Sequence, residues 1–568
     1  MSLQFIIGRA GSGKTSHCLE EIRKQLEKEP NGPPLIYLVP EQMTFQAEYE
    51  LVRSPNLSGM IRAQVYSFTR LAWRVLQETG GLARKFINRT GIHMLLRKIL
   101  ENNQERLQVF QGAKEQTGFI EQLEEMIKEC KQYCITPADL AQTYQAWHRE
   151  GEEREQTSLL LAKLHDLELV YSQLEESLRN HFLATEDYLH LLAEKIGESV
   201  YLEEAQIWVD GFHQFTPQEI LVLKALLEHC QKVRIALTLD PDYLHPSGEL
   251  KSKPHELDLF YPTAKTYDQL YRMAREMGVP VKTPLFLPQE EGEVLPRFRE
   301  QPMLAHLEKQ YDRWPLVPYR NNQLDEQEVE LEKQHERKGI RLLAAVHARA
   351  EVEAVAQEII RLARDHGYRY REMAIMVRNG EDYYDLLETV FSDYDLPLFL
   401  DQKRAMLFHP LMECIRSSLD VVRGGWRYDA VFRCVKTDLF CPLDQDMDQW
   451  REKMDKLENY VLAHGIYGSQ WTDGKPWAYR SFHTLEEEEK DSKADQALRE
   501  EVNRLKEAIR APLIFLQKGL AEAKNVREMC AALFAYLEQV EVSRKLEAWR
   551  DASERAGKLE EARQHDQV

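Results

Sequence analysis

The chain has 568 residues, 43% of them hydrophobic and 30% charged, and carries a formal net charge of −20. That length corresponds to about three or four domains with room for large cores, and the composition is that of a soluble, acidic protein rich in helix. No apolar run approaches the ~20 residues needed to cross a bilayer. The N-terminus lacks a signal-peptide pattern, and the cysteines, at 18, 130, 134, 230, 414, 434, 441 and 530, form no C-x-x-C pair. The expected setting is a reducing cytoplasm, with no membrane partner.

In chain order, the first predicted strand is LQFIIG (3–8), and it runs directly into GRAGSGKT, Gly8 to Thr15. This matches the phosphate-binding pattern G-x-x-x-x-G-K-[ST] at every position, and the helical pattern SHCLEEIRKQLEK follows it. In that strand–loop–helix setting the backbone N–H groups of Gly8, Arg9, Ala10, Gly11, Ser12 and Gly13 can cradle phosphates. Lys14 can reach the outer phosphate oxygens, and Thr15 can ligate Mg²⁺. ATP and Mg²⁺ are therefore the expected ligands.

A second strand, PLIYLVP (34–40), leads into VPEQMTFQAEY (39–49), which offers Glu41, Gln42, Thr44 and Gln46. VYSFTRLAWRVLQETGG (65–81) then groups Phe68, Arg70, Trp73 and Arg74. Two readings of this block stay open. Aromatic faces stack on unpaired bases at ~1–3 kcal/mol each, and amides and guanidinium groups read base edges or hold phosphates, so the block suits single-stranded DNA. Alternatively, Phe68, Leu71, Trp73 and Leu76 form an ordinary helix core with solvated arginines. Between positions 62 and 98 the chain carries Arg62, Arg70, Arg74, Arg84, Lys85, Arg89, Arg97 and Lys98 against the single acid Glu78, a local basic island.

Residues 88–200 have helical apolar spacing and few breakers, as in TGFIEQLEEMIKECKQYC, and read as a helical insertion. QIWVDGF (206–212) restores the strand pattern and brings Asp210, a candidate Mg²⁺ ligand; the same Asp-Gly pair also reads as a turn after a strand. Superfamily 1 helicases place a water-positioning Glu directly after this Asp. Here position 211 is Gly, which can neither accept a proton nor orient a water, so strong hydrolysis is not expected. Glu219 is the nearest substitute.

VRIALTLD (233–240) is a further strand, and proline and charge clusters across 246–338 mark a connection. GIRLLAAV (339–346), MAIMVR (373–378) and LPLFLD (396–401), with EVEAVAQEIIRLARDHG among them, predict a second α/β lobe over 339–424. From 425 to 568 the pattern is mainly helical. The last stretch has no helix stop, so the expectation is a chain cut inside a domain. Two decoys carry metal-site spacing. Asp401 and Lys403 form a D-x-K without an upstream acid, and Cys130 and Cys134 share a helix face without further ligands.

Taken in order, GRAGSGKT, LVPEQMTFQAEYEL, QVYSFTRLAWRVLQETGG and WVDGFHQFTPQE resemble the AddB family, the B subunits of bacterial AddAB helicase–nucleases that process double-strand breaks. The likeness continues through AEVEAVAQEIIRLARDHGYRYREMAIMVRN and LPLFLDQKRAMLFHPLMECIRSSLDVV and so covers essentially the whole chain. It implies an α/β, superfamily 1 helicase-like fold with two RecA-like parallel-sheet lobes and large helical insertions. The first lobe is 1–87 with 201–245, the insertion 88–200, the connection 246–338, the second lobe 339–424 and a second insertion 425–568.

The resemblance also implies a decayed motor that grips one DNA strand and recognises the Chi sequence. Residues matching Gln42, Thr44, Phe68, Arg70, Trp73 and Phe212 form the reading surface, and none in this chain is expected to be catalytic. Its partners are an AddA-type helicase–nuclease subunit, in a heterodimer, and single-stranded and duplex DNA. Full-length members add a C-terminal 5′-to-3′ exonuclease domain with a [4Fe–4S] cluster, whose ligands lie outside this sequence. Gly211 fits that picture, as does TLDPD (238–242) where an active helicase carries a G-D-x-x-Q-like motif. An active superfamily 1 translocase is the alternative; a small P-loop kinase fits neither the two lobes nor the basic aromatic block.

Overall fold

Strands that are apolar on both faces need cover on both faces, and parallel pairing through helical crossovers supplies it. The computed structural model describes residues 1–53, 61–81, 85–112, 118–150, 155–179, 182–183, 187–288, 294–319, 340–400, 406–479 and 493–567. It divides into two compact units, Met1–Leu343 and Ala344–Val568.

The first unit is built on β1 (Leu3–Gly8), β2 (Leu35–Leu38), β3 (Ala63–Tyr66), β6 (Gln206–Val209), β7 (Lys232–Thr238) and β8 (Leu285–Phe286). They form one six-stranded sheet in the order β3-β2-β6-β7-β1-β8, and every pairing is parallel. A separate parallel pair, β4 (Lys85–Phe86) with β5 (Phe182–Leu183), lies outside this sheet. The mixed α/β class with a RecA-like parallel sheet is thus present. The sequence reading passed over β3, whose AQVY alternates buried and half-buried positions and so gives no unbroken apolar run, and β8, which is only two residues long.

Alternation along the strands divides the core. Phe5, Ile7, Leu38 and Val209 pack with Phe68, Leu71 and Val75 of α3 (Phe68–Thr79) and with Val222 and Tyr267 from later helices. On the opposite face Ile6, Leu35, Tyr37 and Trp208 pack with Leu19 and Ile22 of α1 (Lys14–Lys28) and with Ala47 and Leu51 of α2 (Thr44–Val52). In register, Leu38 pairs with both Tyr66 and Val209. The loops after β2, β3 and β6 therefore leave the sheet side by side, at the carboxyl edge where open α/β sheets bind ligands.

Helices including Arg89–Asn102, Phe119–Gln132 and Glu155–Leu178 fill the chain between β3 and β6. They enclose their own core around Leu96, Ile127, Val170 and Leu174. Asp166, fully buried there, accepts the backbone N–H groups of Gln108, Val109 and Phe110 at 2.9, 2.7 and 2.9 Å, so its charge is well satisfied.

In the second unit, helices Ala348–His366 and Tyr384–Asp393 pack through Val352, Ala356, Leu387, Val390 and Phe391. The three strand readings around them are corrected. Among the described residues, 340–346, 373–378 and 396–400 enter no ladder, and Leu342, Val346, Met376 and Phe399 are exposed. An extended apolar segment becomes a strand only when neighbours take up its amides and cover its faces, and the described residues provide none here. Beyond position 410 the unit is helical, around Trp450, Trp471, Leu513 and Tyr536. Asp401 and Lys403 lie outside the described residues.

Candidate functional site: the phosphate loop and the strand-end face

β1 ends at Gly8, and α1 begins at Lys14 after a loop in which Gly11 and Gly13 take φ of 85° and 90°. These left-handed conformations suit glycine. A Cβ at Gly8 would collide with the Leu287 carbonyl and the Ser12 hydroxyl. Ser12 is buried, and its Oγ has no hydrogen-bond partner among the described residues. An orphaned hydroxyl inside a glycine-lined loop at a helix N-terminus fits an anionic oxygen.

Lys14 folds back over this space, its Nζ donating to the carbonyls of Gly8 at 2.8 Å and Arg9 at 3.0 Å. Burial pushes its ammonium down to about 8, with the Arg297 charge adding to the effect and Asp210 opposing it. Lys14 therefore loses its proton as pH rises through about 8, and a bound phosphate would draw that pKa back up. Affinity for nucleotide is expected to fall above about pH 8, by up to about tenfold per pH unit. Calorimetry in buffers of differing ionisation enthalpy should record proton uptake on binding there. A flat profile without proton exchange would show that Lys14 meets no phosphate.

Thr15 Oγ1 donates to Asp210 Oδ2 at 2.7 Å, so the two residues read as a metal-holding pair from distant parts of the sequence do meet. Asp210 Oδ1 accepts the Gly211 N–H at 2.8 Å. Arg9 faces away from this pair. It makes ion pairs with Asp240 at 2.7 Å, Glu308 at 2.5 Å and Asp312 at 3.4 Å, leaving its backbone as its contribution to the cradle. TLDPD thereby supplies an anchor for the phosphate loop through Asp240.

Gly211 has φ of 84°, and a Cβ there would lie 2.7 Å from Met43 Sδ and 3.0 Å from Pro40 Cδ. The substitute carboxylate is engaged elsewhere. Glu219 closes a capping box on the helix Pro217–His229, its Oε2 accepting the Thr216 N–H at 2.8 Å while its own N–H donates to Thr216 Oγ1 at 3.3 Å. Burial raises its pKa.

The strand ends after β2, β3 and β6 bring the second residue set to one edge. Gln42 is exposed, and Thr44 is buried with its hydroxyl on the Glu41 carbonyl at 2.9 Å. Phe68 is 5% exposed and meets Phe212 edge-on at 5.4 Å and Phe215 at 6.3 Å. Trp73, in contrast, is 53% exposed, and Arg70 stands on the same outer face of α3, paired with Glu41 at 3.5 Å and Glu48 at 3.4 Å. The core reading thus holds for Phe68, Leu71 and Leu76 and fails for Trp73, which is on the surface.

Several arginines of the basic island are engaged within the fold. Arg62 is buried on the carbonyls of Pro33 and Glu29, Arg74 lies 4.3 Å over the Tyr201 ring, and Arg89 pairs with Glu124 at 2.7 Å. Arg84 lies outside the described residues. Cys130 is buried near the end of Phe119–Gln132 while Cys134 lies beyond that helix and is exposed, so the two do not share a helix face.

A family model described as "ADDB, N-terminal" matches residues 5–308, more than half of the chain. The chain belongs to the AddB family. Across its whole length it is 47% identical to the B subunit of the ATP-dependent helicase/deoxyribonuclease of Geobacillus kaustophilus. It is 46% identical to the protein of the same name from Geobacillus thermodenitrificans and 44% to that from Bacillus cereus. It spans 46% of the length of each of these relatives.

For an AddB-family chain, the phosphate loop and Asp210 were legible as motifs, but two neighbours were not. Tyr37 donates its hydroxyl to Asp210 Oδ2 at 2.8 Å. The Arg297 N–H donates to the Gly11 carbonyl at 3.3 Å, and this arginine's charge adds to that of the site. Tyr37 had one signal, a lone hydroxyl in the unbroken apolar run LIYL; Arg297 had none.

Proposed function

We propose that this chain is the nucleotide-binding, motor-silent and DNA-scanning part of the B subunit of an ATP-dependent helicase–deoxyribonuclease serving recombinational repair of double-strand breaks. One observation carries the reading: an intact phosphate cradle stands beside a Gly211 packed so tightly against Met43 and Pro40 that the hydrolytic carboxylate has no room. Lys14 would meet the outer phosphates, and the loop amides and Ser12 the inner ones. Mg²⁺, held by Thr15 and Asp210, would neutralise phosphate charge. Reading of Chi on a single strand falls to Gln42, Arg70 and Trp73, with the buried Thr44 holding the loop of Gln42 and Phe68 packed edge-on against Phe212. The names of the relatives favour a partner, which we assign as an AddA-type subunit carrying the motor, acting on single-stranded and duplex DNA in the cytoplasm.

On this reading, 1–87 with 201–245 is the nucleotide lobe, 88–200 its insertion, 246–338 the connection, 339–424 a second lobe and 425–568 a second insertion. The 5′-to-3′ exonuclease and its [4Fe–4S] cluster belong to the length that the relatives have and this sequence lacks. The isolated chain is expected to bind ATP–Mg²⁺, and Lys14→Ala to weaken that binding by about 10- to 150-fold, the loss of one charge-assisted contact. Fluorescent-nucleotide titration measures this. DNA-stimulated turnover of about one per second or faster, abolished by Lys14→Ala, would instead establish the active translocase.

A further inference from the structure

Asp210 is 4% exposed and receives three donors. Gly211 N–H binds Oδ1 at 2.8 Å, while Oδ2 accepts both Thr15 Oγ1 at 2.7 Å and the Tyr37 hydroxyl at 2.8 Å. Thr15 and Tyr37 differ in what they can do next. Thr15 sits in the first turn of α1, and on the nucleotide reading its hydroxyl would turn toward the metal. Tyr37 is fixed in the adjacent strand: the β2–β6 register pairs it with Trp208 and its successor Leu38 with Val209, directly before Asp210. It is 1% exposed and enclosed with Ile6, Leu35 and Trp208. The phenol hydroxyl can only donate to a carboxylate, and Asp210 Oδ2 is its acceptor. A hydroxyl presented from an immobile ring favours one orientation of the carboxylate it binds.

We propose that Tyr37 is a positioning residue for the metal carboxylate, holding Asp210 Oδ2 in place when Thr15 is drawn away, so that the site is preorganised for Mg²⁺ bound with a nucleoside di- or triphosphate. This rests on the nucleotide reading above. Tyr37 touches neither nucleotide nor metal and acts through Asp210. The competing description is that its hydroxyl is only a satisfied core group, whose removal would lower stability and nothing else.

Tyr37→Phe separates the two, because it deletes one oxygen and leaves the packing. Binding of a fluorescent ADP or ATP analogue is titrated with Mg²⁺, and again in EDTA. The Mg²⁺ midpoint is expected to rise about tenfold, the usual effect of removing an outer-shell partner, with metal-free affinity unchanged. In an Asp210→Asn background the Tyr37→Phe shift should vanish, because Tyr37 acts only through that carboxylate. If the parent binds nucleotide but Tyr37→Phe leaves the midpoint in place, whether or not melting falls, the positioning role is wrong and the nucleotide site stands. A shift that persists in the Asn background also overturns it. If the parent binds no nucleotide with or without Mg²⁺, both readings fall together.

Discussion

Gly211→Glu is expected to lower the stability of the first unit by about 2–5 kcal/mol without raising ATP turnover. A side chain at positive φ costs about 1–2 kcal/mol, and crowding a packed site adds about 1–3 kcal/mol. Met43 Sδ can yield, but the Pro40 ring, 3.0 Å from the new Cβ, belongs to the backbone that turns from β2 into the following loop. A glutamate forced in here would be aimed by that clash and not by a water. Differential scanning calorimetry should show the transition of the first unit, or a shared one, moving down by several degrees, and a phosphate-release assay should show no gain. Recovery of turnover by this single change would mean that the motor is one residue from function and that the packing around Gly211 does admit a working carboxylate, which overturns the steric reading.

Trp73→Ala and Phe68→Ala are expected to part company. Trp73, 53% exposed, contributes little to folding, and its removal should change stability by less than about 0.5 kcal/mol. A base stacked on its ring would lose ~1–3 kcal/mol, so in the complex with the partner subunit, discrimination between the recognised and a scrambled single strand should drop by about 5- to 150-fold. General DNA affinity should fall little, because phosphate contacts carry it. Phe68→Ala, at 5% exposure within the core of the first sheet, should cost about 3–5 kcal/mol. Equal losses for Trp73→Ala on both DNA sequences would show a nonspecific grip, and a large loss of stability would return Trp73 to the core reading.

Arg62 shows why part of the site could not be read from composition. In the sequence it opens a basic island; in the fold it is buried on the carbonyls of Pro33 and Glu29, and the nearby Arg74 is spent on the Tyr201 ring. Their partners are distant in sequence, and no spacing rule reaches them. Phe68 and Trp73 illustrate the converse. Both stand in one aromatic block, but helical phase against the sheet turned Phe68 inward and Trp73 outward. The segments around Leu342, Met376 and Phe399 have every local mark of a strand except a neighbour to pair with among the described residues.

The sequence by itself determined what depends on contiguous residues. Gly8 to Thr15 match the phosphate-loop pattern because glycine conformations, a lysine and a helix start must follow one another along the chain. Asp210 closes an apolar strand, and Gly211 removes the usual carboxylate at the level of the covalent structure. Only the tertiary structure decided what depends on separate strands arriving at one edge. The parallel order β3-β2-β6 brought Gln42, Phe68 and Phe212 to neighbouring loops, and the β2–β6 register set the Tyr37 hydroxyl on Asp210. Side-chain chemistry is local, but the direction in which a hydroxyl or a ring points is fixed by the packing of elements that the chain visits far apart.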